Sequence, residues 1–140
     1  YKYARLRERG YKSVVHLRDL DYQVVEYASD LSSSAGMAAM KKLLADNPPD
    51  AVFAVSDTLA AGAMRAIEQA GLRVPQDIAV VGFDGTELAE MVSPQLSTIE
   101  QPSQDIGRKA VDLLLNKIDN PDAPTERVML DWRFVARAST

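Results

Sequence analysis

Apolar positions along this chain follow two rhythms in turn, one close to the helical period and one of short unbroken runs. From Lys2 to Val15 the residues Tyr3, Leu6, Tyr11, Val14 and Val15 recur at spacings of three and four, which predicts an amphipathic helix. A short strand is expected at Gln23–Tyr27 (QVVEY). Ser32, Ser33 and Ser34 then supply N-cap hydroxyls for a helix from about Ala35 to Ala45. Asn47-Pro48-Pro49-Asp50 stops that helix, because proline has no N–H to donate and clashes with the preceding turn.

The run Ala51–Val55 (AVFAV) is apolar without alternation, as expected of a strand covered on both faces in a parallel sheet. Ser56-Asp57 ends it and opens a helix carried by Leu59, Ala60, Ala63, Met64, Ala66, Ile67 and Ala70. Gly71 stands where a left-handed residue closes a helix. A second apolar run, Ile78–Val81, follows, then Gly82-Phe83-Asp84-Gly85. Strand, helix and strand in this order predict a right-handed βαβ unit with parallel strands. Downstream come a short helix over Leu88–Val92, a break at Ser93-Pro94 and a short strand at Leu96–Ile99. Gln101-Pro102-Ser103 then opens a helix whose stripe is Ile106, Ala110, Val111, Leu113, Leu114 and Ile118. After a surface turn at 120–124, Val128, Leu130, Trp132 and Phe134 alternate with Met129, Asp131, Arg133 and Val135, the period of a final strand. The fold class is therefore α/β with a parallel sheet.

Composition narrows the function classes. At 140 residues, 46% hydrophobic and 26% charged, the chain has the makings of one folded core and is far from the signature of disorder. No apolar run is long enough to span a membrane. The chain has no cysteine, which removes disulfides and thiolate metal sites and fits a reducing cytoplasm. A net charge of −4 makes a poor nucleic-acid surface, since such binding draws on cations that displace counterions from phosphates. The cluster Arg5, Arg7, Arg9 and Lys12 is interrupted by Glu8 and reads as a solvated helix face.

Candidate chemistry is sparse. The single histidine, His16, has no nucleophile motif near it. Asp19 and Asp21 lie in a polar turn without the apolar surroundings that raise a carboxyl for acid catalysis, and the Gly82–Gly85 turn lacks the lysine and spacing of a phosphate loop. No catalytic residue, metal or cofactor is expected. In open parallel sheets, however, ligands bind beyond the carboxyl ends of the strands. That rule selects Ser56-Asp57 after one strand and Asp84-Gly85 after the next. Asp57 reads first as the N-cap of its helix, whereas Asp84 is not placed to cap and reads as a ligand contact.

Two long stretches carry a family resemblance. Phe53-Ala54-Val55-Ser56-Asp57-Thr58-Leu59-Ala60-Ala61-Gly62-Ala63-Met64-Arg65-Ala66-Ile67 resembles the strand-to-helix entry of LacI/GalR-type repressors. Gly71-Leu72-Arg73-Val74-Pro75-Gln76-Asp77-Ile78-Ala79-Val80-Val81-Gly82-Phe83-Asp84 resembles their next connector and strand. The segment Pro94–Pro102 and the helix start Ile106-Gly107-Arg108-Lys109-Ala110 are similar too. Upstream, Arg7-Glu8-Arg9-Gly10-Tyr11 and Ser34-Ala35-Gly36 resemble the family more loosely.

The resemblance implies a doubly wound lobe of a periplasmic-binding-protein-like fold. Residues 1–140 would form part of an effector-binding domain, mainly its C-terminal lobe, with the helix over 103–118 belonging to or bordering the N-terminal lobe. The operator-DNA-binding headpiece would lie outside this chain. It further implies a cytoplasmic homodimer without membrane contact that senses a small polar effector, a sugar or a nucleobase or nucleoside. Effector contacts would come from Arg7, Ser56, Asp84, Gln101 and Leu31; Ser56 stands where asparagine is common, and Leu31 where tryptophan or phenylalanine is common. Met64, Leu88, Met91 and Val92 would serve either as dimer contacts or as ordinary core. A fragment of a lobe should also expose apolar surface. The alternatives are a periplasmic sugar-binding protein of a transporter with the same fold and, more distantly, an α/β enzyme.

Overall fold

A computed structural model describes residues 2–20 and 24–140. Five helices and four strands follow one another among those residues: α1 (Lys2–Leu17), α2 (Ser33–Asp46), β1 (Ala51–Phe53), α3 (Asp57–Gln69), β2 (Ala79–Asp84), α4 (Leu88–Met91), β3 (Ser97–Glu100), α5 (Ser103–Asp119) and β4 (Arg133–Val135). The strands form one sheet in the order β1-β2-β3-β4. β1 and β3 flank β2 in parallel, with Val52 opposite Val80 and Gly82 opposite Thr98. β4 closes the far edge antiparallel, with Glu100 opposite Arg133.

Helix starts follow local chemistry. Ser32 accepts a hydrogen bond from the Ala35 amide at 3.1 Å and starts α2, and Ser56 accepts one from the Leu59 amide at 3.2 Å and starts α3. α2 and α3 cross at a small-residue contact: a Cβ on Gly62 would lie 2.0 Å from the Ser33 carbonyl oxygen. Only glycine lets the two backbones meet this closely. Beneath them Met40, Leu59, Ala60, Met64, Ile67, Ile78, Val80, Ala89 and Leu96 make one core against a single face of the sheet.

Several expectations are corrected. Gln23 lies outside the described residues, and Val24–Tyr27 form no strand. A short β-branched run supplies strand propensity but not a partner, and a strand needs a neighbour to take up its amides and carbonyls. β1 is not covered on both faces: Ala51 is exposed and Val52 and Phe53 are half-buried, because β1 is a sheet edge among the described residues. The second strand is longer than the apolar run suggested and carries Gly82, Phe83 and Asp84 within it. The final strand is shorter, since its partner β3 ends at Glu100 and residues 128–132 have no strand to pair with.

Met64 is core, at 6% exposure, and cannot present its side chain to a second subunit. Leu88 and Val92 are half-buried, with Val92 packed against the core, whereas Met91 stands 79% exposed. No residue of α5 is buried, and its stripe Ile106, Val111, Leu114 and Ile118 faces outward. No helix among the described residues is long and apolar enough to cross a membrane.

Candidate functional site

Parallel pairing brings the carboxyl ends of β1, β2 and β3 to one rim, and each delivers a polar group there. β2 ends on Asp84, the chain leaving β3 begins with Gln101, and the chain leaving β1 offers the Val55 carbonyl and Ser56. Helix α1 contributes Arg7 to the same rim.

The carboxylate of Asp84 is the hub. Its Oδ1 accepts from Gln101 Nε2 at 2.7 Å and lies 3.4 Å from an Arg7 terminal nitrogen. The other terminal nitrogen of Arg7 donates to the Val55 carbonyl, so one planar guanidinium bridges the ends of β1 and β2. Its flat face lies 3.5 Å from the centre of the Phe83 ring and 5.0 Å from that of Tyr3. Stacking of this kind fixes the plane of the group while leaving in-plane N–H donors for a guest.

Asp84 is held against two penalties. Its φ of 113° is a region that side-chain-bearing residues seldom occupy, and Gly85 follows it with φ 72°. Strain at a non-glycine residue persists where the surroundings over-determine it, and such residues cluster at binding sites. Burial also pushes the Asp84 carboxyl above its ordinary value; Arg7 pulls it down, the neighbouring Asp57 charge pushes it up, and the Gln101 and Arg7 hydrogen bonds pull it down. A carboxylate poised in this way gains from an incoming hydroxyl or N–H donor.

Of the residues selected from sequence, Arg7, Asp84 and Gln101 are brought into direct contact. Ser56 lies on the adjoining β1 loop, buried, with its oxygen used as the α3 cap. Leu31 precedes the N-cap of α2, 38% exposed. Asp57 is not the cap it was expected to be: Ser56 caps the helix, and Asp57, as its first residue, is turned inward. Sequence reasoning missed Phe83 and Tyr3, the rings that flank the guanidinium. Once Gly82, Phe83 and Asp84 are read as strand, strand alternation would have put Phe83 on the opposite face from buried Val80 and Gly82.

Known proteins share the fold that carries this rim. The family model described as a periplasmic binding protein-like domain matches residues 1–140. The ribose operon repressor of Escherichia coli K12 is 39% identical over 139 residues, covering 97% of this chain and 42% of the repressor. A crystal structure of an uncharacterized protein from Actinobacillus succinogenes superposes with a TM-score of 0.93 at 46% identity, covering all of this chain and 52% of that one. A LacI family transcriptional regulator from Enterococcus faecium with bound ribose gives a TM-score of 0.87 at 33% identity, covering 96% of this chain and 50% of that one. The chain thus spans about two-fifths of the length of this curated relative.

Proposed function

The chain belongs to the periplasmic binding protein-like domain family, in the form found in LacI-type regulators, and from that premise we propose that it is the effector-sensing part of a bacterial transcription repressor. The observation that carries the reading is the Asp84 hub, in which a carboxylate and a guanidinium lie side by side at the carboxyl ends of parallel strands. Together they offer acceptors and donors a few ångströms apart, which suits two adjacent hydroxyls of a sugar ring. Ser56, Gln101 and Leu31 complete the contact set, and the sugar is bound and released without being turned over.

In this reading the chain is most of the C-terminal lobe of its domain, and α5, unburied along its whole length, borders the other lobe. Operator DNA is contacted by a headpiece elsewhere in the protein, in the cytoplasm. Pairing of two copies uses the surface around Met91, while Met64 stays in the core. Effector binding would then shift the balance between two arrangements of the lobes, and with it the affinity for DNA. A periplasmic transport protein is the lesser reading, because the curated relative is an operon repressor.

The test is isothermal calorimetry of the full-length protein with D-ribose, D-galactose, D-glucose, cytidine and adenine, alongside operator release by the same compounds. Binding of a sugar that also alters operator affinity is the expected result. Saturable sugar binding with no effect on DNA would instead favour the transport reading, and consumption of the sugar would revive an enzyme.

A further inference from the structure

Asp57 has no part in the proposed contact set, yet it is among the most thoroughly bonded side chains near the site. It is 1% exposed at the first position of α3. One carboxylate oxygen accepts from the Thr86 amide at 2.7 Å and from the Thr86 hydroxyl at 3.0 Å. The other accepts from the Thr98 hydroxyl, in the middle of β3. Three donors from two separate elements thus converge on a single charged group, which the positive end of α3 also favours.

The space for this carboxylate is cut out of the sheet. A Cβ on Gly82 would lie 2.4 Å from Asp57 Oδ1, so β2 carries glycine where any side chain would expel the acid. Two residues further along β2 is Asp84, and two beyond that is Thr86. The strained Asp84 and the Gly85 that follows it are therefore pinned on one side by the β2–β3 ladder and on the other by the tether from Thr86 to Asp57.

We infer that Asp57 is the positioning residue of the effector site, holding through Thr86 and Thr98 the turn that presents Asp84 to its ligand. The inference rests on the effector-binding reading of the Asp84 hub. Asp57 acts at one remove, touching the turn and not the guest. It explains why an aspartate follows the cap serine at all: the cap alone would be satisfied by Ser56. Without the tether the Asp84 backbone relaxes toward unstrained angles, and the carboxylate leaves the Arg7 plane.

The experiment uses the full-length protein with Asp57→Asn, Thr86→Val and Thr86→Ser, and two readouts. Amide hydrogen exchange at Gly85, Thr86 and Gln101 is compared with that at Ile67 and Val80 in the core. D-ribose affinity is measured by calorimetry on the same samples. Asp57→Asn and Thr86→Val should each speed exchange at the turn and weaken D-ribose binding by about tenfold, the size expected for losing a hydrogen bond to a charged group. Core protection and melting temperature should hold in Thr86→Val, and Thr86→Ser should restore both readouts. Should Asp57→Asn fail to fold, Thr86→Val carries the test through the hydroxyl bond alone, the Thr86 amide still donating to Asp57. Uniform loss of protection across turn and core in Thr86→Val would reduce Asp57 to a general stabiliser and overturn the inference. So would faster exchange at the turn with D-ribose affinity unchanged. If the parent protein does not bind D-ribose, the sugar assignment fails by itself, and exchange at the turn still decides whether the tether exists.

Discussion

Arg7 and Asp84, 77 positions apart in sequence, meet at 3.4 Å over the face of Phe83. The contact joins the first helix to the end of β2, at the rim where the proposed effector site lies. Its energetics are those of a half-exposed ion pair, so its value lies in orientation more than in stability. Asp84→Asn keeps the shape and removes the charge. It should weaken effector binding by about 1.5–3 kcal/mol, the range for a charge-assisted hydrogen bond, as read by calorimetry on the full-length protein. Unchanged affinity would take Asp84 out of the site.

The raised Asp84 carboxyl makes a signed prediction about pH. A carboxyl whose folded value exceeds its unfolded one stabilises the fold below the unfolded value and loses that contribution as pH climbs through the folded one. The contribution of Asp84 is therefore full below its ordinary 3.8 and falls away over the interval above it. Melting temperatures of parent and Asp84→Asn, followed from below pH 3.8 to neutrality without ligand, should show the parent losing ground to the variant. A parent that gains ground with rising pH would mean that Arg7 and Gln101 outweigh burial.

The capping role of Ser56 can be separated from its proposed effector contact. Ser56→Ala removes the α3 cap and should lower stability by about 1 kcal/mol in a urea titration, whereas Ser56→Gly, a tolerated cap, should lower it by only a few tenths. Both lose the hydroxyl. If Ser56 also touches the effector, the glycine variant will bind more weakly while remaining nearly as stable as the parent.

The crossing of α2 and α3 leaves no room for a methyl group at Gly62, where Ser33 backbone stands 2.0 Å from the ideal Cβ. Gly62→Ala should cost about 1–3 kcal/mol by forcing the helices apart, despite alanine being the better helix former. A urea midpoint equal to that of the parent would show that the crossing yields without strain.

The outward stripe of α5 separates two pictures of that helix. Leu114→Glu and Ile118→Glu lie at positions 59% and 62% exposed, so in the 140-residue chain alone each should change stability by no more than about 0.5 kcal/mol. In the full-length protein the same changes should destabilise by more than about 1 kcal/mol if another lobe covers the stripe. Equal, small effects in both would leave α5 as a solvated helix.

The five helices in their order, the serine cap of α2 and the parallel βαβ unit were legible in the sequence because they depend on neighbours within a few positions. A hydroxyl caps the amide three residues on, and a period of 3.6 or an unbroken apolar run reports a local face. The strand-end rule selected Asp84 and the family resemblance added Arg7 and Gln101 as expected contacts, and tertiary structure brings the three side chains together. Tertiary structure alone decided which strands had partners. It withheld one from Val24–Tyr27, shortened the strand before Val135 and left β1 at an edge among the described residues. It likewise took Met64 into the core and turned Asp57 from an expected cap into a tether between Thr86 and Thr98. These outcomes rest on groups that lie tens of residues apart, and no local pattern records which distant donor will fill a buried acceptor.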